Sequence, residues 1–239
     1  MNIILLGDED FKTSGVAVLR DRRHVHIKEI LKPEIGDMVR VGIINGKVFN
    51  AEISAQDPEC TELHLKNAGA APPRPNTDVI MAMVRPRIVR QILISLTSLG
   101  VRNIFFVNAW KVPKPYFSQR LFDGNEYKDY LYIGLEQSCQ TYLPNVSIHR
   151  RFNHFIEEEL EKRVRRESRR WVAHPGGGTQ VELNHASEDN HLLAFGPEGG
   201  WTEGEVQLLE EKGFKRISLG PRILRVETAV PYLFGRLGI

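Results

Sequence analysis

Leu192-Leu193-Ala194-Phe195-Gly196-Pro197-Glu198-Gly199-Gly200-Trp201 is an apolar run cut off by glycine and proline. Ile217-Ser218-Leu219-Gly220-Pro221-Arg222-Ile223-Leu224-Arg225-Val226-Glu227-Thr228-Ala229 repeats the pattern. A short apolar run that ends on Gly-Pro and gives way to helical spacing reads as a buried strand turning into a helix. In open α/β sheets ligands collect outside such strand ends, so two of these turns in succession predict an α/β fold with one cleft. Thr202, with Glu205 three residues on, forms a capping-box pattern for a helix ending near Gly213, which puts the first turn at a helix start. No Lys-Ser or Lys-Thr follows its glycines and they do not make G-x-G-x-x-G, so neither familiar nucleotide loop is present. In the second turn Arg222 and Arg225 flank Ile223-Leu224, and Glu227-Thr228 opens another helix, where the dipole favours an acid.

Working back from these turns, residues 78–84 predict a strand. Pro86 suits the first turn of a helix running through Ile88, Ile92, Leu96 and Leu99 to a stop at Gly100, and residues 101–107 predict the next strand. That β-α-β order implies a parallel pair. After a Pro- and aromatic-rich loop, residues 126–142 predict a helix with Tyr130, Ile133 and Cys139 facing inward, ended by Pro144 and followed by a strand at 146–149. Residues 157–170 pair Glu158 with Lys162, Glu159 with Arg163 and Glu161 with Arg165 at i,i+4, the pattern of an exposed helix. A strand at 171–174 then runs into Pro175-Gly176-Gly177-Gly178, a close-approach loop or a mobile one.

The first 70 residues read as a β-rich barrel or sandwich. A strand at 2–6 is followed by a short helix within 21–31 carrying Ile27, Ile30 and Leu31 on one side, closed by Pro33 and Gly36. Residues 38–44 and 48–53 predict a hairpin whose Asn45-Gly46 turn takes two positive φ angles, with a further strand at 62–65. Ala68 to Pro75 is a linker, because its prolines lack a donor and restrict their neighbours. The expected domains are therefore 1–72 and 73–239. Arg20, Arg22, Arg23, His24, His26, Lys28 and Lys32 crowd one segment of the first, either a solvated helix face or a phosphate-contacting patch. His24 and His26 have alternate spacing but no carboxylate or thiol to complete a metal site, so a surface or capping role is expected.

The 239 residues carry a net charge of only +2, so a nucleic-acid partner has to be argued from where the basic residues fall. Two cysteines, Cys60 and Cys139, make neither a disulfide framework nor a zinc site and suit a reducing, cytoplasmic compartment. No secretory signal pattern and no membrane-length apolar stretch is present, so a protein neither exported nor embedded is expected.

The paired motifs Phe195-Gly196-Pro197-Glu198-Gly199-Gly200-Trp201-Thr202-x-x-Glu205 and Leu219-Gly220-Pro221-Arg222-Ile223-Leu224-Arg225-Val226-Glu227-Thr228-Ala229 resemble those of the RsmE family, bacterial 16S rRNA uracil-N3 methyltransferases of the SPOUT class. His26-Ile27-x-x-Ile30-Leu31 and Gly36-Asp37-x-Val39 resemble that family's PUA-like RNA-binding domain, and the likeness extends through Leu99-Gly100-Val101 and Glu136-Gln137-Ser138. The resemblance implies a SPOUT domain with a C-terminal trefoil knot, a homodimer, and S-adenosylmethionine held bent in the knotted loops. It places Gly196, Pro197, Glu198, Gly199, Gly200, Leu219, Gly220, Ile223, Leu224 and Thr228 on the cofactor, with His174 at its border. The implied product is N3-methyluridine in the decoding region of 16S rRNA. Arg225 and Arg222 are candidates to stabilise charge on the uracil oxygens, and Glu227 is a candidate general base or a salt-bridge partner of those arginines. Arg20, Arg22, Arg23 and Lys28 are candidate RNA contacts, and Trp201 is either a support for the extruded base or core. Family positions usually holding Lys, Glu and Arg look like Ser95, Ser98 and Gln140 here, and Pro231 lies early in the last helix, where it should kink or shorten it. These departures keep open a retargeted or non-catalytic RNA-binding paralogue acting in ribosome assembly.

Overall fold

The computed structural model describes residues 2–117, 120–175 and 189–239, the side chain of Arg120 excepted. It divides into two compact units: Met1–Pro73 with Leu135–Leu143, and Arg74–Gly134 with Pro144–Ile239. The division near Pro73 follows the proline-rich linker. The return of Leu135–Leu143 to the first unit differs from the expected 73–239 domain, because no composition shift marks a segment that changes partners inside a helix.

The first unit is a six-stranded sheet in the order β1-β4-β5-β6-β3-β2. Its strands are β1 (Ile4–Leu6), β2 (Phe11–Thr13), β3 (Val16–Leu19), β4 (Met38–Ile43), β5 (Val48–Gln56) and β6 (Thr61–Ala68). One face buries Leu6, Leu19, Ile27, Val41, Ile53 and Leu63. β4 and β5 form the expected hairpin, but only Asn45 has positive φ, at 59°. The Gly46 N–H instead bonds the Ile43 carbonyl at 2.8 Å. Between β3 and β4 lies α1 (Arg22–His26), which continues as a π-helical turn, Ile27–Leu31, ending at Lys32 in the left-handed region. The wide turn breaks the helical phase, so Ile27 is buried while Ile30 and Leu31 are exposed, against the expectation of one apolar face.

The second unit is a wholly parallel sheet in the order β12-β10-β11-β7-β8-β9. β7 (Thr77–Ala82), α2 (Pro86–Ser98) and β8 (Val101–Val107) form the expected crossover. α2 stops where Gly100 takes φ 73°. α3 (Tyr127–Ser138) ends earlier than Pro144, at Cys139 with φ 56°. It buries Leu131 and Leu135 and leaves Ile133 exposed, so its inner face is rotated from the expected one. After β9 (Asn145–His149) comes α4, residues 152–163, whose middle turn Phe155–Glu159 is π-helical. Glu159 pairs with Arg163 at 2.8 Å, but Glu161 pairs with Arg170 at 2.5 Å rather than with Arg165, because the helix has ended before Arg165. β10 (Arg169–Ala173), β11 (His191–Phe195), α5 (Glu203–Glu211), β12 (Lys215–Ile217) and α6 (Val226–Leu237) complete the unit. The glycines 176–178 lie outside the described residues. α6 continues through Pro231, with no shortening there. No described helix is long and apolar enough to cross a membrane.

Candidate functional site

In the parallel ladder Ala173 is paired with Phe195 on one side and with Ile217 on the other, so β10, β11 and β12 end level with one another. Beyond those ends lie His174-Pro175, Gly196–Trp201 and Leu219–Leu224, and they enclose a cavity of about 230 Å³. Ala173, Phe195, Val226 and Ala229 add apolar walls. The bends need their glycines for different reasons. Gly220 has φ 106°, a backbone state costly for a side chain. A Cβ on Gly199 would lie 3.2 Å from Cβ of Lys111, a contact tight enough that the loop or Lys111 would have to shift to admit one.

Charged side chains from other strand ends hold the first bend. Glu198 accepts the Arg85 N–H at 3.3 Å and lies 3.4 Å from Arg85 Nε, tying the bend to the end of β7. Lys111, after β8, donates from Nζ to the carbonyls of Gly199 at 3.0 Å and Trp201 at 3.4 Å. Glu205 completes the capping box, taking the Thr202 N–H at 2.8 Å on one oxygen, and its other oxygen accepts the Trp110 N–H at 2.7 Å. At the cavity border the His174 N–H bonds the Ile217 carbonyl at 3.2 Å. The Nδ1 of His174 is buried with no hydrogen-bond partner among the described residues.

The structure brings His174, Gly196, Pro197, Glu198, Gly199, Gly200, Leu219, Gly220, Arg222, Ile223 and Leu224 onto one cavity. Thr228, Arg225 and Glu227 are not on its wall. Arg225 is exposed, and its Nη1 lies 4.0 Å from Glu227 Oε1, at the outer limit of an ion pair. Trp201 touches the cavity but is only 3% exposed, with its ring 5.4 Å from that of Phe152. It is a core residue, and the idea of a base-supporting indole there is corrected. Of the basic segment, Arg20 and Lys28 are exposed. Arg22 makes a bidentate pair with Glu136 at 2.8 and 3.0 Å. Arg23, its side chain 14% exposed, grips both Asp10 and Asp21 at 2.7 Å, so it is a structural pin rather than an RNA contact. His24 is buried against Thr61, 2.8 Å away, which corrects its expected surface or capping role.

Sequence reading missed Arg85, Lys111 and Trp110. Each lies just past the end of β7 or β8, and the β-α-β pattern there already implied that those ends open on the same edge as β11.

The family model for the RNA methyltransferase domain matches residues 72–238. Ribosomal RNA small subunit methyltransferase E of Treponema pallidum is 30% identical over 245 residues, covering 96% of this chain and 87% of that protein. Ribosomal RNA small subunit methyltransferase E 1 of Borreliella burgdorferi is 28% identical over 238 residues, 96% and 94% of the two chains. In fold the chain is similar to a ribosomal RNA small subunit methyltransferase E from Neisseria gonorrhoeae, solved bound to S-adenosyl methionine, with a TM-score of 0.77 at 20% identity over 97% of this chain and 95% of that one. Taken with the two glycine bends that meet on one cavity, these matches show that the chain belongs to the RsmE family of RNA methyltransferases.

Proposed function

We infer that this protein transfers a methyl group from S-adenosylmethionine to N3 of a uridine in the decoding region of bacterial 16S rRNA, acting in the cytoplasm as a homodimer. The observation that carries this reading is the convergence of Gly196–Trp201 and Leu219–Leu224 on one cavity beside His174. The residues fit the cofactor. The bends offer backbone groups, His174, whose Nδ1 has no hydrogen-bond partner among the described residues, offers a polar contact, and Phe195, Leu224 and Ala229 offer apolar surface. Bound there, the cofactor supplies an electrophilic methyl on its sulfonium.

The chain's own contribution is then alignment and exclusion of water. Glu198, held by Arg85, and Gly199, held by Lys111, fix the bend before any ligand arrives, so little reorganisation remains at the moment of reaction. N3 must give up its proton, for which Glu227 is the candidate acceptor, and charge then spreads onto the two uracil oxygens. Arg222, on the cavity wall, is placed to meet that charge, and Arg225 stands just outside. Glu227 lies 4.0 Å from Arg225, a solvated ion pair of little strength.

The strand order supports a trefoil knot: β11 is inserted between β7 and β10, β12 lies outside β10, and the chain after β12 turns back to line the cavity. Threading of this kind is almost absent from ordinary folds. The six-stranded first unit, with Arg20 and Lys28 exposed at its surface, supports a PUA-like RNA-binding domain. Incubation of the protein with methyl-labelled S-adenosylmethionine and small-subunit RNA, followed by nucleoside mass spectrometry, tests the reading. Label in 3-methyluridine is expected. Cofactor binding with no methylated uridine would point instead to the non-catalytic or retargeted paralogue.

A further inference from the structure

The loop after β8 carries a tryptophan that the reading above does not use. Trp110 is 84% exposed. Single apolar side chains at a surface are ordinary, but this one combines a rigid mount with a particular set of neighbours. Its N–H is held by the buried Glu205 carboxylate at 2.7 Å. The next residue, Lys111, is bonded to Gly199 and Trp201, both on the wall of the cavity. The Val112 N–H closes a turn on the Ala109 carbonyl at 3.0 Å. The indole is thus presented to water from a fixed backbone, next to a lysine that hydrogen-bonds two residues of the cavity wall.

Trp110 also lines an open groove of about 1090 Å³. On its loop side the groove carries Lys114, Arg150 and Arg151, all exposed, and none has a carboxylate partner among the described residues. The Asn108 side chain donates to the Arg150 carbonyl at 3.3 Å and joins the two loops that carry this wall. The same groove is also lined by Glu157 and Glu211. An exposed aromatic face in a groove whose cations have no carboxylate partner among the described residues suits a strand whose base lies on the ring and whose phosphates meet those cations. Stacking on an aromatic side chain needs an unpaired base, and cations supply the backbone contact.

We propose that Trp110 is a stacking platform for an unpaired RNA base neighbouring the uridine that enters the cavity, with Lys114, Arg150 and Arg151 taking the phosphates beside it. The role rests on the RNA-methyltransferase reading and goes beyond it by naming where the flanking strand is held. It makes Trp110 a positioning residue for RNA, with no part in holding the cofactor.

The test is a titration of the full-length protein, at constant salt, with a short oligouridylate and with the same strand annealed to its complement, read by intrinsic fluorescence. Single-stranded RNA is expected to quench the emission of the exposed indole and the duplex to quench it far less. Trp110→Ala is expected to weaken single-strand binding roughly tenfold, the loss of about one stacked base. Trp110→Phe is expected to restore most of that affinity, and both variants should bind S-adenosylmethionine as the parent does. In methyl transfer, Trp110→Ala should raise KM for RNA more than it lowers kcat. Equal affinity of parent and Trp110→Ala for the single strand would overturn the proposal. So would a change of oligomeric state in Trp110→Ala, which would put the indole against a second copy of the chain. If the parent fails to bind S-adenosylmethionine, the reading of the cavity fails, while the RNA titration still decides the role of Trp110.

Discussion

The basic segment 20–32 of the first unit and the pair of glycine bends in the second make an instructive contrast. The first looks functional because of its charge, yet two of its arginines are consumed internally, Arg22 by Glu136 and Arg23 by Asp10 and Asp21. The second carries little charge of its own, yet its backbone bends meet on a cavity whose walls come from three strand ends. A charged side chain states nothing about its partner, since a carboxylate more than a hundred residues away can claim it. A Gly-Pro turn after a buried strand constrains the backbone itself, and the backbone shapes the site.

The contrast is tested most severely at Arg23. Arg23→Ala would leave the nearly buried Asp10 carboxylate without its cation and is expected to cost about 3–5 kcal/mol in urea unfolding. Lys28→Ala, on the same segment but solvated, should leave stability unchanged. Equal effects would mean that the internal pairing of the segment counts for nothing. In the other region, Gly220→Val forces a side chain onto φ 106° and should cost about 1–3 kcal/mol. Calorimetry should show S-adenosylmethionine binding at least tenfold weaker, with far-UV circular dichroism unchanged. Glu205→Ala removes both the capping box and the anchor of Trp110, and a loss of about 1 kcal/mol in thermal unfolding is expected.

The smallest effect concerns pH. The hydrogen bond from Arg170 holds the Glu161 carboxyl below its ordinary value of 4.5, with Coulombic attraction to Arg170 and Lys212 adding to it. A carboxyl depressed in the folded state contributes stability that is present above that ordinary value and is lost as pH falls through the lowered one. Glu161→Gln should therefore flatten the acid limb of stability below about pH 4.5 by less than about 1 kcal/mol, because the pair is partly solvated. An unchanged acid limb would assign the effect to other carboxylates.

Much of the second unit was legible because its signals are local. Pro86 and Gly100 bound α2, Thr202 with Glu205 caps α5, and Gly196 and Gly220 end the runs from β11 and β12. What failed depended on non-local choices. The π turns at Ile27–Leu31 and Phe155–Glu159 shift helical phase with no proline or glycine to announce it. Trp201 reads in sequence as either a base support or a core residue, and only its packing against Phe152 and its burial decide for the core. Within the site the cavity wall was legible from its motifs, whereas Arg85 and Lys111 were not, because their role arises only once parallel strands bring their ends together.

The account stands on the cavity between the two bends being a methyl-donor site. Calorimetric titration of the purified full-length protein with S-adenosylmethionine tests this most directly. Saturable binding of one ligand per chain, weakened at least tenfold in Gly220→Val while the fold is retained, is the predicted result. Absence of any heat of binding to the parent at millimolar ligand, with the protein shown to be folded, would contradict it.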